Sequence, residues 1–275
     1  MTDQTRSRVL AGHSVVITGA GRGLGAAFAR LAAAEGARLV VNDINAAAAR
    51  QIAVELGEVT EAIADSSDVS SWHGAERLIG TCIARYGSID GLVSNAGVIA
   101  VGRPEEATEA DLRHVIEVNL LGTAFCGVHA LRAMLLQGRG SIVNVTSGAQ
   151  LGLPTVAAYA ASKGGITSLT YSWAAATKGS GVRVNAVSPD AATPLAAEVA
   201  QHFPDTPAGD KSPESNAPAV VYLLSDLASS VTGQVVLTGG ERLSVLDPPS
   251  PRRPAARQPE WTVELVAQAF RERWS

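Results

Sequence analysis

Tyr159 and Lys163 stand four residues apart in the run Tyr-Ala-Ala-Ser-Lys. The stretch around them, Val156–Lys178, is rich in Ala and reads as a helix. Both side chains then share one face, about one turn apart. A phenol beside an ammonium is an acid/base pair. The free phenol titrates near pH ~10, and a nearby positive charge favours the phenolate and lowers that value. Such a pair suits proton transfer at a reacting oxygen. Many helices carry the same spacing by chance, so the rest of the chain has to carry the reading.

Strand and helix patterns alternate around the pair. Ser14–Thr18, Arg38–Asn42, Val59–Ala64, Ile89–Ser94, Ser141–Thr146, Val182–Val187 and Gln234–Thr238 read as strands. Between them, Leu24–Glu35, Asn45–Leu56, Ser70–Tyr86, Thr108–Gln137, Val156–Lys178 and Ser215–Asp226 read as helices, with Asn45 and Thr108 as N-caps. A short helix is expected over Pro194–Phe203. Strands separated by helices of this length predict βαβ units, and so an α/β, doubly wound parallel sheet of about seven strands with helices on both faces. Residues 1–246 read as one such domain. Residues 247–275 read as a Pro/Arg-rich tail and an amphipathic C-terminal helix, Trp261–Trp274.

Composition narrows the function classes. The chain has 275 residues and a net charge of −4, which argues against a general nucleic-acid binder. No run of 18 apolar residues predicts a membrane span. The two cysteines, Cys82 and Cys126, lack metal-type spacing and suggest a reducing, cytoplasmic setting. No pair among the five His residues has ligand spacing with a carboxylate, so no metal is expected.

Thr18-Gly19-Ala20-Gly21-Arg22-Gly23-Leu24-Gly25 joins the first strand to the first helix. Glycines allow a tight turn and let backbone N–H groups approach a pyrophosphate at the helix N-terminus. Asp43 follows the second strand, where a carboxylate can accept from adenosine ribose hydroxyls and would repel a 2′-phosphate. That favours NAD(H) over NADP(H), while Arg22 in the turn pulls the other way.

In this order and spacing, these residues resemble the short-chain dehydrogenase/reductase family over about Val15–Gly240. The glycine turn, with Gly19, Arg22, Gly23, Leu24 and Gly25, resembles its cofactor motif. Asp68-Val69 resembles the pair that contacts adenine. Asn95-Ala96-Gly97 matches its central-strand motif, with Ser94 where a second Asn is common. Asn119, in Val-Asn-Leu-Leu-Gly, falls on its catalytic asparagine. Ile142-Val143-Asn144-Val145-Thr146-Ser147 resembles the strand that ends at its catalytic serine, and Arg183–Pro189 resembles the strand after Tyr159 and Lys163. Three departures stand out. Ser147 lies one residue nearer Tyr159 than usual, which leaves Thr146 as a rival. Asp190 replaces a usual Gly. The stretch Pro189–Thr193 is one residue short.

The resemblance implies a hydride moving between NAD(H) and a carbonyl carbon of a secondary alcohol or ketone. It implies Tyr159 as acid/base, and Lys163 lowering the Tyr159 pKa and binding the nicotinamide ribose. Ser147 would orient the substrate oxygen. Asn119 would hold a water linked to Lys163, and Pro189 and Thr193 would contact the cofactor. Gln150, Asp190 and His202 join Ser147 and Tyr159 as substrate candidates. A homo-oligomer, dimer or tetramer, is implied too. Two other readings stay open: an enzyme that uses the same scaffold for epimerisation, dehydration or another rearrangement, and a non-enzymatic dinucleotide-binding protein.

Overall fold

The computed structural model describes residues 8–191, 197, 212–250 and 257–273. Thr193 and His202 lie outside that set, as does the helix expected over Pro194–Phe203 apart from Ala197. Eight strands form one sheet: β1 Ser14–Ile17, β2 Arg38–Asn42, β3 Ala62–Asp65, β4 Gly91–Ser94, β5 Gly140–Val145, β6 Val182–Pro189, β7 Val235–Gly239 and β8 Arg242–Leu246. The order is β3-β2-β1-β4-β5-β6-β7-β8, parallel as far as β7. The helices are α1 Gly23–Ala34, α2 Ala46–Leu56, α3 Trp72–Tyr86, α4 Glu109–Val115, α5 Gly122–Gln137, α6 Ala157–Ala176, α7 Ala217–Leu224 and α8 Val263–Arg273. Asn45 accepts from the Ala47 and Ala48 N–H groups, and Thr108 from that of Asp111, so both expected caps are made.

The expected doubly wound parallel sheet of about seven strands is seen, with an eighth strand added at the far edge. β8 folds back antiparallel on β7, with Gly239 opposite Arg242. Gly240, at φ 56, supplies the left-handed turn residue that a two-residue hairpin requires. β8 alternates exposed Leu243 and Val245 with more covered residues, so it reads weakly as a strand in sequence.

The central strands β1, β2, β4, β5 and β6 are largely buried on both faces, as inner parallel strands are. Val15, Ile17, Leu39, Val41, Val143 and Val187 pack with Phe28 of α1 and Leu223 and Leu224 of α7. The alternate residues Val16, Val40, Leu92, Ile142 and Val184 pack with Leu78 of α3 and Met134 of α5. The continuous helical stretch Glu109–Gln137 is long and apolar enough to cross a membrane by length and composition. It packs here on α3 and α6, with buried Asn119, Thr123 and His129 along it.

Below the strand N-termini, Asp90 ties three segments together. Its carboxylate accepts from Ser14 N (3.0 Å), Ser88 Oγ (2.9 Å) and Arg139 Nε (3.0 Å). These donors outweigh burial and hold the carboxyl below the usual carboxylate range. A depressed folded value contributes stability above the unfolded pKa of ~3.9 and loses it as pH falls through the folded value. Asp90→Asn is expected to cost about 2 kcal/mol at neutral pH, and this deficit should shrink in acid. Urea unfolding of both proteins at several pH values measures it.

Candidate active site

The candidate residues gather at the C-terminal ends of the strands, beside the point between β1 and β4 where the strand order reverses, as open α/β sheets dictate. Thr18 organises the crossing. Its Oγ1 accepts from Asn95 N (2.9 Å) and Ala96 N (3.0 Å), while Asn95 Nδ2 donates to Thr18 O and Gly19 O, both at 3.0 Å. Asn95 therefore holds the glycine turn in place through its side chain.

The turn is as tight as its composition predicts. Gly19 sits at φ 60, and a Cβ there would lie 2.8 Å from Ala96 Cα. At Gly25 a Cβ would lie 2.2 Å from Gly19 O. Gly23, at φ 56, has nothing within 4 Å of its missing Cβ, so its conformation needs glycine while the space beside it stays open. Unlike α2 and α3, α1 has no side-chain cap, and Arg22 at its N-cap is exposed. Its first N–H groups have no side-chain acceptor and suit a phosphate. Leu24 packs its half-buried side chain on the core.

Asp43 reaches back to this turn. Its Oδ2 accepts from Gly21 N (3.0 Å) and its Oδ1 from Asn45 N (2.9 Å). A Cβ on Gly21 would lie 2.8 Å from Asp43 Oδ2, so that glycine is what admits the carboxylate. Asp68 Oδ1 accepts from Ser70 N and Oγ, which shapes the entry to α3. Val69 is buried and packs against Gly122. Asn42, which the sequence did not single out, donates to Asp65 Oδ1 and Ser67 O, both at 3.0 Å, and fixes the segment leading to Asp68.

The Ser147 hydroxyl stands beside the Tyr159 phenol and acts to lower its pKa. Thr146 is excluded from that position. It is 1% exposed, donates to Lys163 O (2.9 Å) and contacts Thr167 Oγ1 (3.0 Å). The hydroxyl beside Tyr159 is that of Ser147. Gln150 bonds Thr167 rather than pointing freely at a substrate.

Lys163 is 3% exposed, and its Nζ donates to Val145 O at 2.8 Å. Burial pushes its pKa down to about 8. Nζ lies 5.4 Å from the Tyr159 ring centroid. Burial pushes the Tyr159 phenol up, with only the Ser147 hydroxyl opposing it. The ammonium is itself desolvated and committed to the Val145 carbonyl.

Asn119 lies in a π-helical turn, Ile116–Leu121, that interrupts the long helix. Such turns recur at functional sites. Its Oδ1 accepts from Val98 N (2.8 Å), and its Nδ2 donates to Val98 O (2.9 Å) and Ser162 Oγ (3.1 Å). Ser162 in turn donates to Tyr159 O (2.7 Å). The side chain thus clamps the segment after β4, where Gly97 packs beside it, onto the helix that carries Tyr159. Sequence spacing does not reveal that clamp or Ser162. Pro189 closes β6 opposite Thr238, and Asp190 N donates to Thr238 O (2.7 Å). A Cβ on Gly239 would lie 2.7 Å from Asp190 Cβ, so Asp190 is built into the β6–β7 end and exposed there. Among the described residues no group of His, Cys, Asp and Glu is arranged to hold a metal.

The family model described as short chain dehydrogenase matches residues 13–202. The chain belongs to the short chain dehydrogenases. It is 40% identical over 236 residues to cis-4-hydroxycyclohexanecarboxylate dehydrogenase of Sinomonas cyclohexanicum, covering 82% of this chain and 94% of that one. It is 37% identical over 251 residues to 2-(S)-hydroxypropyl-CoM dehydrogenase 3 of Xanthobacter autotrophicus, covering 85% and 98%. A solved short chain dehydrogenase from Mycobacterium avium superposes with a TM-score of 0.86 at 32% identity, covering 96% and 95%. Levodione reductase gives 0.76 at 31%, covering 82% and 96%. As a member of this family, the protein is an oxidoreductase linked to a nicotinamide dinucleotide and acting on a small molecule.

The buried ammonium of this dehydrogenase leaves a pH signature. Its folded pKa, about 8, lies below the unfolded ~10.4. Between those values the unfolded chain binds the extra proton, so this site adds stability as pH rises. Lys163→Met removes the titration. The stability of wild type relative to Lys163→Met is expected to rise between pH 8 and 10.5, read by urea unfolding of both proteins across that range.

Proposed function

We propose that this dehydrogenase oxidises a secondary alcohol, or reduces the matching ketone, with NAD(H), using Ser147, Tyr159 and Lys163 at the reacting oxygen. The Ser147 hydroxyl beside the Tyr159 phenol, with the Lys163 ammonium 5.4 Å from the phenol ring centroid, carries this reading. A bound nicotinamide supplies or takes up the hydride. The protein's own groups manage the oxygen and its proton. An oxygen placed between Ser147 Oγ and Tyr159 Oη meets two hydroxyls. In reduction, Tyr159 gives its proton to that oxygen as charge builds on it, while Ser147 orients it. The raised phenol pKa keeps that proton in place at neutral pH. In oxidation the phenolate takes the proton from the alcohol, so anything that lowers the phenol pKa raises the rate. Lys163 is the fixed positive charge available for that, and it also lies where the family resemblance places its ribose contact. Asn119 positions Tyr159 through Ser162. This intact set disfavours a purely binding role.

NAD(H) preference rests on Asp43. Its carboxylate is held against the glycine turn by two backbone N–H groups, and a 2′-phosphate there would face a fixed negative charge. The glycine turn, Asp68-Val69, Asn95–Gly97, Pro189 and Thr193 are assigned to the cofactor on the same resemblance. Two buried free thiols, Cys82 and Cys126, support a reducing compartment such as the cytoplasm. Exposed Leu112, Leu121, Leu135 and Leu136 along Glu109–Gln137 support a homo-oligomer, dimer or tetramer.

Calorimetric titration should show tighter NAD(H) than NADP(H) binding, and Asp43→Asn should narrow the gap by roughly tenfold or more. Equal affinities in wild type contradict the assignment. Light scattering at micromolar concentration is expected to give a mass at least twice the 28.2 kDa of one chain. Tyr159→Phe should reduce turnover on the order of 10²–10⁴-fold with NADH affinity largely kept. Ser147→Ala should lose rate while Thr146→Ala loses mainly stability. Without cofactor, the ultraviolet phenolate signal lost in Tyr159→Phe should titrate above pH ~10. Near-normal redox turnover in Tyr159→Phe would refute the mechanism.

A further inference from the structure

Ser147 sits between two fastenings to α6. On the strand side, Lys163 Nζ donates to Val145 O and Thr146 Oγ1 donates to Lys163 O. On the loop side lies one turn of 3₁₀ helix, Gly148–Leu151. Ser147 caps that turn. Its Oγ accepts from Ala149 N (3.2 Å), and its carbonyl accepts from Gln150 N (3.0 Å). The hydroxyl that stands beside the Tyr159 phenol therefore takes its direction from where this turn lies. A single turn makes too few bonds of its own to fix its place. Of its side chains, Gly148 has none, and buried Ala149 offers only a methyl. Leu151 is 73% exposed. Gln150 is left, half-buried, with its carboxamide hydrogen-bonded to Thr167 Oγ1.

Thr167 stands four residues after Lys163, so the two use one face of α6 on successive turns. Its hydroxyl also contacts Thr146 Oγ1 at 3.0 Å. Thr167 thus joins the loop-side fastening to the strand-side one. Gln150, Thr167, Thr146 and the Lys163 carbonyl form a series with three contacts. Each hydroxyl has one proton to give and the carbonyl has none. The structure sets the Gln150 oxygen toward Thr167, which leaves one of the three contacts without a proton. Thr146 and Thr167 are buried, where an unmet contact is costly. A half-turn of the carboxamide keeps its shape and supplies the missing proton. Gln150 Nε2 then donates to Thr167, Thr167 to Thr146, and Thr146 to Lys163 O.

We propose that Gln150 is a positioning residue: by donating through Thr167 and Thr146 it docks the turn after Ser147 on α6 and so aims the Ser147 hydroxyl. Its effect on rate rests on the dehydrogenase reading above. Gln150 then acts through Ser147 and needs no contact with the substrate.

The test uses whichever of cyclohexanol, 4-hydroxycyclohexanecarboxylate and 2-octanol wild type oxidises fastest with NAD. Gln150→Leu is expected to lower kcat about tenfold with NADH affinity kept, less than the ~10²-fold that a 1 Å misplacement can cost. Thr167→Val should lose as much, and the two together no more than either alone. Thr167→Ser, which keeps the hydroxyl, should retain most of the kcat that Thr167→Val loses. In a Ser147→Ala background Gln150→Leu should leave kcat unchanged, because the group it aims is gone. Gln150→Glu keeps the shape, but when ionised it can only accept. Its kcat relative to wild type should therefore rise as pH falls toward protonation of the carboxyl. Amide exchange of residues 148–152, read by mass spectrometry, should quicken in Gln150→Leu. An undiminished kcat in Gln150→Leu, or an equal loss with and without Ser147, overturns the proposal. If wild type turns over none of these alcohols or their ketones, the dehydrogenase reading fails. Unchanged exchange in Gln150→Leu separately overturns the docking.

Discussion

Lys163 carries an ammonium almost wholly withdrawn from water, and a buried charge is tolerated only with partners in good geometry. Its partner is the Val145 carbonyl at the end of β5. That single contact fixes α6 against the sheet at the place where Ser147 emerges. Thr146, between Val145 and Ser147, repeats the fastening from the strand side by donating to the Lys163 carbonyl. Strand end and helix are thus tied by two opposed hydrogen bonds. The Ser147–Tyr159 contact follows from where those bonds leave the two side chains.

The rest of the site is arranged to keep that junction rigid. Asn119 and Ser162 connect the segment after β4 to the carbonyl of Tyr159. The π-turn that carries Asn119 sacrifices regular helix geometry, a cost borne where function needs an unusual position. Thr18 and Asn95 perform the matching task between β1 and β4, so the glycine turn and α6 are referenced to the same strand end. At the other end of the sheet, Arg183 donates to the Leu223, Leu224 and Ser225 carbonyls and closes the C-terminus of α7. This second fastening holds the start of β6, at the end opposite the one where Pro189 meets β7.

The sequence makes the frame and the identity of the site legible because both rest on local signals. Alternating apolar runs place the parallel strands, glycines mark the turn, and Asn45 and Thr108 cap their helices as their chemistry requires. β8 escaped because a strand exposed on one face and closed by a two-residue turn carries little apolar signal. The partners escaped for a different reason. Thr18 to Asn95 spans 77 residues and Asn119 to Ser162 spans 43, and no spacing rule reports contacts made through the fold. The Ser147 and Thr146 alternative was of this kind. It resolves only when β5 and α6 are seen together, with Thr146 turned into the core.

The same limit applies to the electrostatics of the pair. From sequence, an ammonium one turn from a phenol lowers the phenol's pKa through charge alone. In the folded protein both groups are desolvated, and desolvation acts on them in opposite senses: Lys163 is pushed down to about 8 and Tyr159 is pushed up. Each shift favours the neutral form. The resting pair is therefore closer to a proton-holding phenol and a reluctant ammonium than to a preformed phenolate and ammonium. In the proposed mechanism reduction uses the protonated phenol and oxidation the phenolate, so any positive charge that lowers the Tyr159 pKa, Lys163 among them, favours the oxidative direction.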